Sequence, residues 1–355
     1  MNERIIIGLK NVLRYKQLMK DESRFSVLAI ERAILSIKSL DFEITLRNAN
    51  SLIQMKISVG KGIVKRIKHL LTYGQMEEEE QLSHLKPELI QEHTQLQQIT
   101  DLCRINGIGQ SHARRFITEF NITSVEQMKN ALLNGVIREE KNQLTHAMVI
   151  GLKYFDHIES RIPRTEIDLV NRYISMYFKQ IDPKLRFEIS GSYRRGCETS
   201  GDIDILISHP CLKTKDMLEH YIVKMNDTDP PKHYFEYIIA LLKSSRFLID
   251  DLTNDSKTKY MGMCTINGKY FRRIDIRFIP IQSWATALMY FTGSKDFNVK
   301  FRTECLKRGY TLNEDGLYEF KNKVKGKCVS NTFKREEDIF AFFNVPYVPP
   351  TQRNI

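Results

Sequence analysis

The sequence predicts an α+β protein: an all-helical N-terminal part, then a mixed-sheet domain with helices on one side, then a smaller α+β subdomain. Three observations point there. Apolar residues between positions 1 and 74 recur at helical spacing, and Gly-containing breaks at Lys56–Val64 and Leu102–Ala113 separate helical stretches. Ile203–Ile207 is an apolar run entered through Asp-x-Asp, and Arg272–Phe278 alternates charged with apolar side chains, the period of a strand with one buried face. Beyond Trp284, short helical and strand-like stretches alternate.

At 355 residues the chain has room for several domains. The first break falls at Gln75–Gln81, a polar and acidic run, and the expected segments are 1–76, 82–162, 163–281 and 282–355. Residues 1–74 carry fourteen Lys or Arg against six Asp or Glu. Within them Phe25, Leu28, Ala29, Arg32, Ala33, Leu35 and Ser36 read as one stripe of a helix. Gly60 and Gly62 open the helix that follows, and Gly107, Gly109 and Ser111 repeat the device with Arg114 and Arg115 behind it. In each case a helix is expected to end, turn through Gly and restart. Glycine lets a backbone come close to a phosphate, and a helix N-terminus offers free N–H donors. One Gly-x-Gly is an ordinary turn; two of them in a basic chain indicate helix–hairpin–helix contacts to a nucleic-acid backbone, which position without reading sequence.

In the second half, residues 164–180 hold enough helical sequence for two helices. Strands are expected at Phe187–Ser190, Ile203–Ile207 and Phe271–Ile279, with a loop at Asn226–Pro231. A short helix, Trp284–Tyr290, enters Phe291-Thr292-Gly293; helices at 295–308 and Glu336–Phe343 follow, and the Pro-rich tail reads as extended.

The chemistry concentrates in Gly191–Ile207, where Gly-Ser, paired Arg, Ser-Gly and Asp-x-Asp fall within seventeen residues. On a strand Asp202 and Asp204 would share a face, about 7 Å apart, with Ile203 and Ile205 turned to the core. Two neighbouring carboxylates repel and call for a compensating charge. Mg²⁺ suits such a pair, since it combines one or two carboxylates with substrate phosphates. Ser192 and Arg195 sit upstream in a Gly-flanked turn whose hydroxyl, guanidinium and N–H groups can hold a phosphate. Asp275 supplies a third carboxylate and shares its strand face with Arg273 and Arg277. An Asp-x-Asp alone is common; its occurrence with the other parts is what indicates a metal-and-triphosphate site.

With these blocks in order, and with Asn106–Ser111, Ile150–Phe155, Arg161–Arg164, Tyr290–Ser294 and Glu336–Phe340, the chain resembles the family X DNA polymerases of the polymerase beta type over nearly its whole length. The resemblance implies a nucleotidyltransferase palm and a nascent-base-pair-binding subdomain behind helix–hairpin–helix domains. It also implies DNA-templated, gap-filling transfer of nucleotides from dNTPs to a primer 3′-hydroxyl, in DNA repair. Asp202, Asp204 and Asp275 would then be the catalytic metal ligands, with two Mg²⁺ ions (Mn²⁺ as the alternative), and Asp275 would draw the hydroxyl proton while Arg273 tunes its charge. Arg161, Ser192, Arg195, Ser200 and Gly201 would hold the triphosphate. Tyr290, Phe291 and Gly293 would pack on the incoming sugar, and Asn298 with Arg302 would face the nascent base pair. Gly60, Gly62, Gly107, Gly109, Ser111, Arg273 and Arg302 would meet DNA, and a monovalent cation could sit at the hairpin turns.

Two departures from the family stand out. Lys295 replaces the Asp that follows Phe-Thr-Gly-Ser in the polymerase beta type, against the incoming base. In the N-terminal domain the family's 5′-deoxyribose-phosphate lyase uses a Lys nucleophile, and alignment on Gly60 puts Arg66 there. A guanidinium cannot be the neutral amine of a Schiff base; Lys65 and Lys68 are the neighbouring amines. The domain therefore reads as a DNA-binding relic of the lyase. Two other readings stay open: template-independent terminal transfer, and a non-catalytic DNA-end-binding protein.

The net charge of +11 suits a polyanionic partner without distinguishing DNA from RNA or a membrane surface. Six scattered cysteines without Cys-x-x-Cys fit reduced, intracellular thiols, and no apolar stretch of bilayer or signal-peptide length is present. A soluble monomer is expected, in the nucleus, with cytoplasm or an organelle as alternatives, bound to gapped or nicked DNA and to no membrane.

Overall fold

In the N-terminal part, helices Glu3–Leu18, Arg24–Lys38 and Lys61–Tyr73 surround a core of Ile5, Leu9, Val12, Ile30, Ile37, Leu52, Ile63 and Ile67. The computed structural model describes residues 2–18, 24–55, 57–79, 87–140, 143–223, 232–253, 256–330 and 332–354; Lys56, Gln81 and the loop expected at Asn226–Pro231 lie outside them, as does the side chain of Phe25. The second helix buries a different face from the one expected. Ile30, Ala33, Ile34 and Ile37 are inside, while Leu28 and Leu35 are exposed, Leu35 by 67%. Both rows are apolar at helical spacing, and the β-branched row is the one that fills the three-helix core. The chain between the second and third helices is not helical throughout; among its described residues the helical element is a 3₁₀ turn, Ala49–Ile53. The acidic run read as a break folds back instead: Glu77 pairs with Lys65 (3.3 Å), Glu78 with Arg66, and Glu79 accepts from Asn11 (2.7 Å).

The described residues form two compact units, 1–104 with 109–124, and 105–108 with 125–355. Helices Pro87–Leu102 and Gln110–Phe120 belong to the first. The second holds twelve strands: β1 (Ile162–Pro163), β2 (Arg186–Ile189), β3 (Thr199–Ser200), β4 (Ile203–Ser208), β5 (Ile222–Val223), β6 (Lys232–His233), β7 (Leu248–Asp251), β8 (Lys259–Cys264), β9 (Arg272–Phe278), β10 (Tyr310–Asn313), β11 (Gly316–Lys321) and β12 (Val324–Cys328). Its main sheet has the order β2-β4-β9-β8-β7, with β4 and β9 parallel and the other pairs antiparallel. This is the expected mixed sheet, and the whole chain is α+β.

Period-2 patterning decides which face does what. Ile203, Ile205, Ile207, Ile274, Ile276 and Phe278 turn inward against helices Arg164–Ile181 and Tyr234–Ser244. The first of these is a single helix of 18 residues, where two had been expected. Its Ile167, Val170, Ile174 and Phe178 stand at i, i+3, i+7 and i+11, so one unbroken stripe covers the sheet. Arg272 points inward too and is buried, its guanidinium bonded to both Glu166 carboxylate oxygens at 2.8 Å and to Ser160 Oγ at 2.7 Å. That pairing is what makes a buried cation tolerable. The opposite sheet face is left for Asp204, Arg273, Asp275 and Arg277.

Beyond the sheet, helices Trp284–Thr292, Lys295–Lys307 and Glu336–Phe342 pack with β10, β11 and β12 around Phe297, Leu312, Leu317, Ile339 and Phe340. The tail is not simply extended. It makes a 3₁₀ turn at Pro350–Gln352, and Arg353 is wholly buried. No helix among the described residues is long and apolar enough to cross a membrane.

Candidate active site

The parallel register of β4 and β9 sets Asp204 opposite Asp275. Asp202 lies in the bend just before β4 rather than on it. One oxygen each of Asp202, Asp204 and Asp275 lie within 4.8 Å of one another. Arg273 bridges the group, with an ion pair to Asp202 and another to Asp275 at 3.3 Å. Burial, followed by the charge of Asp275, pushes the Asp204 carboxyl up to about 7. Burial also raises Asp275, against the pull of Arg273, Arg277 and Lys259. Three hard oxygen donors form a set that fits a Mg²⁺- or Mn²⁺-type cation, with no His or Cys in it.

Gly191 opens the adjoining turn at φ +59°, and a Cβ there would collide with the Asp204 carboxylate. Only glycine satisfies both demands. The short helix Gly191–Arg194 follows, and Ser190 N–H donates to the Asp204 carbonyl at 2.8 Å, tying turn to strand. Ser192 Oγ donates to Ser200 Oγ at 2.8 Å. Arg161 donates to the Thr199 carbonyl at 2.8 Å, and a Cβ on Gly201 would stand 3.3 Å from its Nη1. Arg161, Ser192, Ser200 and Gly201 thus lie together beside the carboxylates.

Arg195 leaves the same turn toward Gly293 and donates from Nη1 to the Thr292 carbonyl at 2.6 Å. Its neighbour Arg194, to which sequence reasoning gave no role, donates to Thr292 Oγ1 at 2.8 Å and to Glu336 at 2.6 Å. The paired Arg was the only sequence signal for that crosslink. Tyr290 and Phe291 meet edge to face at 5.3 Å, with Arg277 5.5 Å from the Phe291 ring. Asn298 donates to the Tyr290 carbonyl at 2.7 Å, whereas Arg302, one turn on, is exposed. Lys295 is exposed at the first position of that helix.

The two hairpin helices start alike. Gly60 (φ −89°, ψ 175°) caps Lys61–Tyr73 and Gly109 (φ −95°, ψ 175°) caps Gln110–Phe120, neither with a side-chain cap. A Cβ on either would meet nothing within 4 Å, so both N-termini are open to an approaching backbone. Ser111 is exposed on the second helix, and Gly107 (φ +89°) packs against Met148. Gly62 stands one turn before Arg66, whose Nη1 donates to the Gly62 carbonyl at 3.3 Å. Arg66 also donates from Nε to Glu78 at 2.7 Å, so the position aligned with the lyase nucleophile is an ion-paired guanidinium. Lys65 is exposed and paired with Glu77; Lys68 is half-exposed. Borohydride trapping on incised abasic DNA should therefore yield little covalent adduct. Strong trapping, lost in Lys68→Ala or Lys65→Ala, would identify a relocated amine and overturn the relic reading.

A mixed sheet bearing three carboxylates beside a Gly-Ser turn is the architecture of a nucleotidyltransferase palm. The family model for the DNA polymerase beta palm matches residues 161–281, and that for the DNA polymerase beta thumb matches 287–354. A DNA polymerase lambda of Arabidopsis thaliana is 26% identical over 362 residues, covering 96% of this chain and 60% of the relative. A DNA polymerase lambda of Rattus norvegicus is 32% identical over 223 residues, 59% of this chain and 36% of the relative. The DNA polymerase/3′-5′ exonuclease PolX of Bacillus subtilis is 23% identical over 361 residues, 99% of this chain and 55% of the relative. The chain belongs to the family X DNA polymerases. It spans between about a third and three-fifths of the length of these relatives.

Proposed function

We propose that the protein is a DNA-directed DNA polymerase that fills short gaps during DNA repair, joining a dNTP to a primer 3′-hydroxyl. The observation that carries this reading is the convergence of Asp202, Asp204 and Asp275 within 4.8 Å beside the Ser192–Arg195 turn. Asp202 and Asp204 would hold two divalent ions, Mg²⁺ with Mn²⁺ as the alternative, and Asp275 would help hold one. Bound there, the ions supply an acidified hydroxyl and neutralisation of phosphate charge. Asp275, raised by burial, accepts the primer hydroxyl proton, and the Arg273 contact keeps that basicity in check. Arg161, Ser192, Arg195, Ser200 and Gly201 orient the triphosphate, and Tyr290, Phe291, Gly293 and Asn298 form the wall for sugar and base. Arg302 reaches the nascent pair from its exposed position.

The domain division at 1–76, 82–162, 163–281 and 282–355 belongs to this reading, with Gly60, Gly62, Gly107, Gly109 and Ser111 meeting the DNA backbone and a monovalent cation at the turns. The enzyme acts as a monomer on gapped or nicked DNA, in the nucleus. A non-catalytic end-binding role is disfavoured by the complete carboxylate set, whereas template-independent transfer would use the same carboxylates and is separated from this reading by its indifference to the template base.

Extension of primers on gapped, recessed and single-stranded DNA tests it. A one-nucleotide gap with a 5′-phosphate should be the best substrate, and binding should weaken steeply with salt as phosphates are released. Equal activity on the recessed end would remove the gap-filling role from the hairpin domains.

A further inference from the structure

The segment that follows Val348 returns to the phosphate turn. Arg353 anchors it: its side chain is wholly buried, donates to the Val348 carbonyl at 2.9 Å and to Glu336 at 2.7 Å, and lies 5.0 Å from the Phe297 ring. Anchored next to it, exposed Asn354 grips Arg195 from two sides. Asn354 Oδ1 accepts from Arg195 Nε at 2.7 Å, and Asn354 Nδ2 donates to the Arg195 carbonyl at 3.3 Å. Thr351 closes over the same turn; a Cβ on Gly196 would stand 3.2 Å from its Cγ2.

We infer that Asn354 is a positioning residue for Arg195 and, through it, for the phosphates of the incoming nucleotide. The inference rests on the nucleotide-transfer reading above and adds a residue outside the motif block to it. Arg195 is held by two neutral oxygens, the Asn354 amide on Nε and the Thr292 carbonyl on Nη1. Neutral acceptors fix the direction of a guanidinium without cancelling its charge, and among the described residues Nη2 keeps no hydrogen bond of its own. Asp204 is close enough to feel that charge, and the Nη2 pair of donors is left for an anionic ligand. The amide is suited to the task because one group must accept from the side chain while donating to the backbone, which fixes both ends of Arg195 at once.

The test compares the unmodified chain with Asn354→Ala, Arg195→Ala and the double variant in steady-state gap filling at saturating DNA. Asn354→Ala should raise the dNTP KM about tenfold, the loss expected for one hydrogen bond to a charged group, with kcat and melting temperature little changed. The double variant should be no worse than Arg195→Ala, because Asn354 acts only through Arg195. A KM for Asn354→Ala within about twofold of the parent, penalties that multiply in the double variant, or a joint fall of kcat and melting temperature would overturn the inference. A silent Arg195→Ala would instead remove the phosphate role of Arg195, and the inference with it.

Discussion

Asp275→Ala should reduce primer extension by roughly 10⁴-fold or more while gapped-DNA binding stays near that of the parent. The variant loses the proton acceptor and a metal ligand together, and groups that act as one unit fail as one unit. It should not lose stability. Burial raises the Asp275 pKa, so the folded state disfavours the ionised form relative to the unfolded chain. At neutral pH the carboxylate thus works against folding, and its removal should leave the melting temperature unchanged or higher. Single-turnover incorporation, a gapped-DNA binding titration and a thermal melt read the three effects separately. Extension by Asp275→Ala near the parental rate would sink the assignment of the third carboxylate.

Gly191→Ala should be damaging through sterics alone. At φ +59° an L-residue costs about 1–2 kcal/mol, and here the added methyl meets the Asp204 carboxylate. The turn or the carboxylate must give way, and a displacement of about 1 Å in such a site can cost roughly 10²-fold in rate. The variant should fold, with circular dichroism like that of the parent, yet lose incorporation and metal-dependent nucleotide binding. Undiminished incorporation would mean that Asp204 does not need its present place.

The palm site was legible because strand period 2 converts sequence directly into faces. Asp204 and Asp275 had to leave the sheet on the side opposite Ile203, Ile274 and Ile276 once those were inside. What the period could not supply was the bend at Asp202 or the Arg273 bridge to it. The second helix was misread for a related reason. Leu28 and Leu35 are as apolar as Ile30, Ile34 and Ile37, and only the shape of the neighbouring helices decides which row goes inside. The run Glu77–Glu79 read as part of a break between segments, and its work is twelve residues back, on Lys65 and Arg66, and on Asn11. Arg353 is the extreme case. A Pro-rich tail carries no periodic signal that its arginine will be buried between Glu336 and a set of aromatic rings.

The most direct test of the whole account is gap filling with single nucleotides. A one-nucleotide gap opposite each of the four template bases is offered each dNTP in turn with Mg²⁺. The account predicts one added nucleotide, the complementary one, in each case, and none after the metal is chelated. Addition that ignores the template base would mark a terminal transferase, and no addition at all would mark a DNA-end-binding protein; either result contradicts it.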